Sequence, residues 1–441
     1  MPYTEVGTTQ LKLSLIAGHA TRDKTMQFTS LAHLLDKEFL LECFLSLNRN
    51  KAKGVDNVGW YDYETGLMEN IDSLVSRLKA KKYKPLPARR VYIPKGGNET
   101  RPLGISAIEN KIVEKGISTL LQSIYEQDFS NHSCGFRPKL NCHQALNELD
   151  NQIMRNPINH IVEADIKGFF DNVSHELLIK FLEIRIKDSS MLYLIKKFLK
   201  AGYVDDSLLV TSEQGTAQGS ILSPILANIF LHYVLDVWFE HTVKNHTQGY
   251  CELIRYADDF VCVVQYAYDA ERIEKALKNR FSRFELEIHP KKSRKLSFGR
   301  FETVNAKKEK RRANTFDFLG FTHFCDKTRK GFFKVGRKTS KNKFVKKCRD
   351  MTGWLKSIRN TAKPKEWWNT LNSKLRGHFQ YYGVSGNYES INAFYKHTVR
   401  MLHKWLNRRS QKRSMNWKNF TKYLECYSIV KPKIVHNFYT M

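Results

Sequence analysis

LIRYADDFVCVV, residues 253–264, places two apolar, β-prone runs on either side of Tyr256-Ala257-Asp258-Asp259. The pattern predicts a hairpin whose tip carries two carboxylates. Charges pressed between such runs are costly to bury unless they are paired or bound to metal. Asp-Asp recurs at 205–206, where a solvent-exposed turn is explanation enough, so adjacency alone marks nothing. The apolar flanks set Asp258-Asp259 apart, although on spacing alone a purely structural turn stays open.

Upstream, INHIVEADIKGFF (158–170) reads as a strand feeding a turn, with Asp165 at or near its end. Next, SHELLIKFLEIRIKD (174–188) starts a helix with Ser174 as N-cap. Asp165 can meet the hairpin tip only if the two strands are neighbours in one sheet. Carboxylates so gathered would suit a pair of divalent cations about 3.5–4 Å apart, the arrangement that phosphoryl transfer employs. One of the two adjacent carboxylates could bind both ions while the other supports the site less directly.

The remaining pattern is α+β. Helical spacing is expected over 31–47, 71–83, 108–129, the end of a helix at 146–154, 221–239 and 269–284, with strands at 90–93, 286–299 and 315–324 and a turn at Gly96-Gly97. The segment TSEQGTAQGS (211–220) is a glycine-containing loop, SCGFRPKLN (133–141) is another, and the first thirty residues look weakly structured. The charged run VNAKKEKRRAN (304–314) is expected to be a connection or protruding loop.

With 441 residues the chain is long enough for two or more domains, and 41% hydrophobic residues with 27 Phe and 20 Tyr exclude a disordered chain. The 73 Lys and Arg against 44 Asp and Glu leave +29, which concentrates polyanions near the surface. A ribosomal or histone-like binder, or a protein lying on anionic lipid, would also be basic; neither needs a large mixed domain with buried acidic motifs. From Gly331 to Met441 there are 25 Lys and Arg against 4 Asp and Glu, so +21 of the net charge falls there, with Trp354, Trp367, Trp368, Trp405 and Trp417. That composition predicts a helical region with an aromatic core and a cationic face.

The eight cysteines lack a CxxC pair and any disulfide-like spacing, as in a reduced, cytosolic protein, and Cys251 and Cys262 read as small core residues. The N-terminal segment does not combine a positive start with an apolar run. The most apolar stretch, Ile221 to Phe239, contains Ser223, Pro224, Asn228, His232 and Asp236, so a buried helix is expected and no membrane span.

Several segments carry a resemblance over nearly the full chain: RRVYIPKGGNETRPLGIS, YEQDFSNHSCGFRPKLNCHQAL, VEADIKGFFDNVSH, GTAQGSILSPILANIFLHYVLD, LIRYADDFVCVV, HPKKSRK and TFDFLGF. In this order they resemble the reverse transcriptases, or maturases, encoded by bacterial group II introns. The tail, with KLRGHFQYYGVSGN and HKWLNRRSQKRSMNWKNF, is similar to the RNA-binding thumb or maturase domain of that family. The resemblance implies an α+β right-hand polymerase with fingers and an antiparallel palm sheet, followed by an α-helical thumb. The divisions would be 1–95 for an N-terminal extension and the start of the fingers, 96–325 for fingers and palm, and 326–441 for the thumb.

It further implies that Asp165, Asp258 and Asp259 are the catalytic, metal-binding carboxylates, Asp165 and Asp258 being direct ligands of two Mg²⁺ ions, with Mn²⁺ a possible substitute. Phe170 would be the gate that collides with a ribose 2′-hydroxyl, while Phe169 packs in the core. Gln218 and Gly219 would contact the nucleotide and template, Lys95 and Arg101 would hold the triphosphate, Lys292 would lie near departing pyrophosphate, and Tyr256 would touch the primer end. The partners implied are structured intron RNA, an RNA template with a DNA primer, target DNA and dNTPs, in a cytoplasmic, nucleic-acid-associated monomer or dimer with no membrane role.

Two departures stand out. Ala217-Gln218-Gly219 replaces the family's usual Pro-Gln-Gly, so the loop loses one fixed φ and is expected to be looser. A Cys/His nuclease segment does not follow the thumb-like region, which leads to an expectation of insertion by reverse splicing into strands already opened. Two alternatives remain beside an intron partner: the same polymerase used by a host in DNA repair or antiviral defence, and an RNA binder whose polymerase has decayed. The second predicts damaged acidic positions, yet Asp165, Asp258 and Asp259 are all present.

Overall fold

The computed structural model describes residues 8–96, 99–206, 208–211, 213–290, 293–361, 363–408 and 415–439. The chain is a mixed α/β fold whose sheets are followed by a helical region. In chain order the strands are β1 (Ala88–Gly96), β2 (Glu99–Ile105), β3 (His160–Asp165), β4 (Tyr203–Asp205), β5 (Leu208–Val210), β6 (Cys251–Tyr256), β7 (Asp259–Val264), β8 (Arg294–Ser297), β9 (Thr315–Phe318), β10 (Phe321–Lys327) and β11 (Phe333–Thr339). They form three sheets, ordered β2-β1-β4-β5, β6-β7-β3-β8 and β11-β10-β9.

The β6-β7-β3-β8 sheet is antiparallel throughout and sits at the centre. Its side chains alternate between two cores. Val162, Ala164, Phe260, Cys262 and Val264 face one, which is built with the helix Ile108–Tyr125 and the helices around it. Ile161, Val261 and Val263 face the other, shared with the helix Cys142–Arg155 and the C-terminal helices. Burial on both faces explains why FVCVV reads as an unbroken apolar run. Asn141 starts the helix Cys142–Arg155 with a capping box: its side chain accepts from His143 N and Gln144 N, and Gln144 Oε1 accepts from Asn141 N at 2.8 Å.

Several expectations change. The first thirty residues include a helix, Thr8–Arg22, which buries Ile16 and Ala20 against Ile108–Tyr125 and leaves Leu11 and Leu15 exposed; its narrow apolar stripe hides it in sequence. The run at 304–314 is partly helical over Glu302–Lys308. A buried Glu302 holds it, accepting from Arg311 Nη1 at 2.5 Å and from Asn314 N at 2.8 Å. Ser174 stands at the N-cap position of His175–Arg185, but its side chain makes no capping bond. The helix expected over 221–239 is α-helical for Ser223–Leu231 and then widens into π-helical turns at His232–Asp236 and Phe239–Val243. Among the described residues no helix is long and apolar enough to cross a membrane.

The basic C-terminal region opens with a strand, β11, ahead of its helices, because β10 supplies an antiparallel partner at every position from 333 to 339. The helices Lys341–Ile358, Pro364–Tyr382, Tyr388–Asn407 and Trp417–Cys426 follow. Trp367, Trp368 and Trp405 are buried, whereas Trp417 is exposed and stacks on His403 at 4.1 Å. Arg337, buried in β11, pairs with Asp150 of the helix Cys142–Arg155 and joins this region to the central sheet's second core.

Candidate active site

Asp165, the last residue of β3, is paired directly with Asp259, the first residue of β7. Opposed residues in an antiparallel pair project to the same face, so the two acids extend the row of Ile161, Val261 and Val263 past the end of the core. Tyr256 pairs with Asp259, which leaves Ala257-Asp258 as a two-residue loop. Ala257 takes φ 58° there, the left-handed conformation that tight hairpins require. The expected hairpin tip is therefore present, with Asp258 half-buried in the loop and Asp259 exposed.

Burial pushes the Asp258 carboxyl above its usual range; its own backbone N–H pulls it back, the negative charge of Asp165 adds to the rise, and Arg101 and Arg255 oppose it. Arg101 comes from β2, so a cation of the β2-β1-β4-β5 sheet acts on a carboxylate of the central sheet. Ser293 Oγ accepts a bond from Asp165 N at 3.2 Å, and His289 N donates to the Asp165 carbonyl at 2.7 Å. His289 and Ser293 thus lie against Asp165, while Lys292 is outside the described residues. Lys95 belongs to β1, with its side chain also outside them.

A cleft of about 220 Å³ opens between the β2-β1-β4-β5 sheet and the segments that carry Phe170 and Gln218, and its lining includes Gly104, Glu114, Phe170, Thr216 and Gln218. Phe170 is half-buried, with its ring 6.4 Å from Phe136 and 5.3 Å from Phe169, and Phe169 is the core residue of the pair. The 213–220 loop is stitched to this wall: Thr216 N donates to Phe170 O at 2.7 Å and Gly215 N to Val173 O at 2.8 Å. Gln218 Nε2 donates to Asp171 at 3.2 Å, while Gly104 N donates to Gln218 O at 2.6 Å. Gly219 has φ 113°, and a Cβ there would lie 2.5 Å from Gly104 O, so only glycine fits this crossing of loop and strand. The loop is also held without proline, because the Ala217 carbonyl accepts from Ser220 N at 3.1 Å and Ser223 Oγ at 2.8 Å. Tyr256 is half-buried against the second core beside the tip.

Among the described residues no three His, Cys, Asp or Glu side chains close a metal cage. Mg²⁺ does not need one: it retains waters and commonly takes one or two carboxylates, with substrate phosphates completing the octahedron. Asp258, which Asp165 influences electrostatically, together with Asp259 opposite Asp165, supplies hard oxygen donors of that kind. Elsewhere Glu114 sits buried at the cleft, accepting from Ser106 Oγ and Ile221 N, each at 2.9 Å. The residues unforeseen from sequence are Glu114, Gly135, Asn228, Asp236 and Arg255. Arg255 and Asp236 each carried a signal, since each places a charge inside an otherwise apolar stretch.

Residues 93–323 match the family described as reverse transcriptase (RNA-dependent DNA polymerase). The group II intron-encoded protein LtrA of Lactococcus lactis subsp. cremoris is 44% identical over 165 residues, 37% of this chain and 27% of that protein. Protein YkfC of Escherichia coli (strain K12) is 32% identical over 285 residues, covering 57% of this chain and 74% of the relative. The putative COX1/OXI3 intron 2 protein of Saccharomyces cerevisiae is 32% identical over 248 residues, 55% of this chain and 28% of that one. The chain spans about a quarter of the length of LtrA. An acid-tipped hairpin registered on an acidic strand end, within a matched segment that covers more than half of the sequence, leads to one conclusion: the chain belongs to the reverse transcriptase family, among proteins like those that group II introns encode.

Proposed function

We propose that the protein is an RNA-directed DNA polymerase of a group II intron, one that binds intron RNA, assists its splicing and copies it into DNA during mobility. The observation that carries this reading is the register of Asp165 against Asp259, with Arg101 of the neighbouring sheet acting on Asp258. In this account β1 and β2 belong to the fingers and the β6-β7-β3-β8 sheet is the palm. The helices after β11 are the thumb. The divisions fall near residues 95 and 325.

Asp165 and Asp258 would hold two Mg²⁺ ions, with Asp259 in support; the ions would lower the pKa of the primer 3′-hydroxyl and neutralise triphosphate charge. The chain's own residues do the rest. Arg101 and Lys95 orient the triphosphate by charge-assisted hydrogen bonds, with Lys292 beside the pyrophosphate. Gln218 and the close-approaching Gly219 line the new base pair, Tyr256 meets the primer end, and the Phe170 ring fills the space that a 2′-hydroxyl would need. The primer 3′-oxygen forms a bond to the α-phosphorus as the bond to pyrophosphate breaks.

The basic helical region supports binding of structured RNA. Two of its cations are braced by aromatic rings, Lys374 at 5.0 Å from Trp354 and Arg359 at 5.1 Å from the buried Trp405, and cations so placed suit contact with a phosphate backbone. Shape is the expected basis of recognition, since base edges in A-form duplexes are poorly accessible. Primer extension by the purified protein on an RNA template with dNTPs and Mg²⁺ tests the polymerase. Extension with RNA template is the expected result, and binding of the RNA with no extension would contradict the reading.

A further inference from the structure

Arg255 lies beneath the hairpin tip with its side chain fully buried. Its Nε and Nη2 donate to Oδ1 and Oδ2 of Asp236 at 2.8 and 2.5 Å. Its Nη1 donates to Asn228 Oδ1 at 3.1 Å and to the Ala257 carbonyl at 3.0 Å. The last acceptor belongs to the turn itself, one residue before Asp258. Asn228 in turn donates from Nδ2 to Gly135 O at 2.8 Å, and Gly135 packs against the backbone of Ala257. The main chain of Arg255 is held as well, its N–H donating to His132 O at 2.9 Å and its carbonyl accepting from Cys134 N at 2.8 Å.

Asp236 ends the π-helical turn His232–Asp236. The wider turn re-aims the side chains that follow it, a feature that accumulates at functional sites. A buried ion pair is a poor source of net stability, because an apolar pair of similar volume often serves as well. The cluster therefore calls for a reason beyond holding the fold together, and its contact with the turn carbonyl supplies one.

We propose that Arg255, Asp236 and Asn228 form a positioning device that fixes the Ala257-Asp258 turn against the end of β3, so that Asp258 is set in place before substrate arrives. The proposal rests on the polymerase reading of this site. All three side chains are 0–5% exposed and act through the turn; none touches substrate. A guanidinium suits the role because its rigid fork can satisfy Asp236 on one edge and reach two further acceptors from the other.

The test is the double variant R255M/D236L, which replaces the ion pair with apolar side chains, alongside N228A, which leaves the ion pair intact. Amide hydrogen exchange is followed for the peptide spanning 254–262 in the free protein, together with kcat and KM for dNTP, primer–template Kd and the thermal midpoint. Exchange at the tip should quicken at least about tenfold while β3 keeps its protection, and kcat should fall about tenfold with KM and Kd within about twofold. Unchanged exchange and unchanged kcat in a folded variant would overturn the proposal. So would a loss of kcat that only follows a lowered midpoint and faster exchange throughout the sheet. Should the double variant fail to fold, N228A is judged by the same measurements. If the wild-type protein extends no primer, the polymerase reading fails separately, and tip exchange still decides whether the cluster holds the turn.

Discussion

Gly135 and Ala257 meet backbone to backbone: a Cβ placed on Gly135 would fall 2.1 Å from Ala257 N and 2.8 Å from its Cα. The loop that carries SCGFRPK is thus a side wall of the hairpin tip. Gly135→Ala should push the turn away from Asp165 and lower primer extension by about tenfold or more, at a stability cost of roughly 1–3 kcal/mol. Extension kinetics beside a denaturation curve check this, and full activity in Gly135→Ala would show that the contact does not set the tip.

Phe170 lines the cleft with its ring braced by Phe136 and Phe169. Phe170→Ala should admit ribonucleotides more readily, lowering deoxy-over-ribo discrimination by at least about tenfold, or about 1.4 kcal/mol. Competitive incorporation of a dNTP and its ribonucleotide measures it. Unchanged discrimination would place the gate elsewhere.

In the C-terminal region Lys404 and Arg408 flank the Trp405 ring at 5.3 and 5.6 Å. If both neutralise phosphates, replacing the pair with alanine should flatten the slope of log K against log salt by about 1–2 units for a structured RNA. Filter binding across a salt series gives the slope. An identical slope would exclude both side chains from the RNA contact.

His378 is buried and stacked on Phe394 at 3.8 Å, and burial, with Lys347 nearby, lowers its pKa to about 3. An unfolded histidine titrates near 6.5. Between those values the unfolded chain binds the proton and the folded chain does not, so stability falls as pH drops below about 6.5. Denaturation at pH 7 and pH 5 should show His378→Phe losing roughly 1–2 kcal/mol less than wild type on acidification. Equal losses in both proteins would mean that His378 takes up its proton within the fold.

The hairpin was legible because its cues are local: two apolar runs and a turn. That Asp165 ends a strand was equally local. What sequence could not supply was the alignment of that strand on β7, since register is set by the two cores that clasp the sheet from either face. The Arg255 cluster was half-visible, for a charge in an apolar strand needs a partner, but Asp236 reaches it only through a π-helical turn that no periodicity announces. Strand β11 lay hidden in a strongly basic stretch, where composition pointed to helices, and its pairing with β10 decided the matter. The N-terminal helix escaped because its fully buried apolar residues among those described are just Ile16 and Ala20.

The central claim is that Asp165 and Asp258 act together at one reaction centre. Primer extension on an RNA template, comparing wild type with Asp258→Ala and Asp165→Asn at matched RNA affinity, tests it most directly. The account predicts extension by wild type and its loss, by at least about a thousandfold, in both variants, equivalent to roughly 4 kcal/mol of transition-state stabilisation. Extension by either variant at the wild-type rate would contradict it.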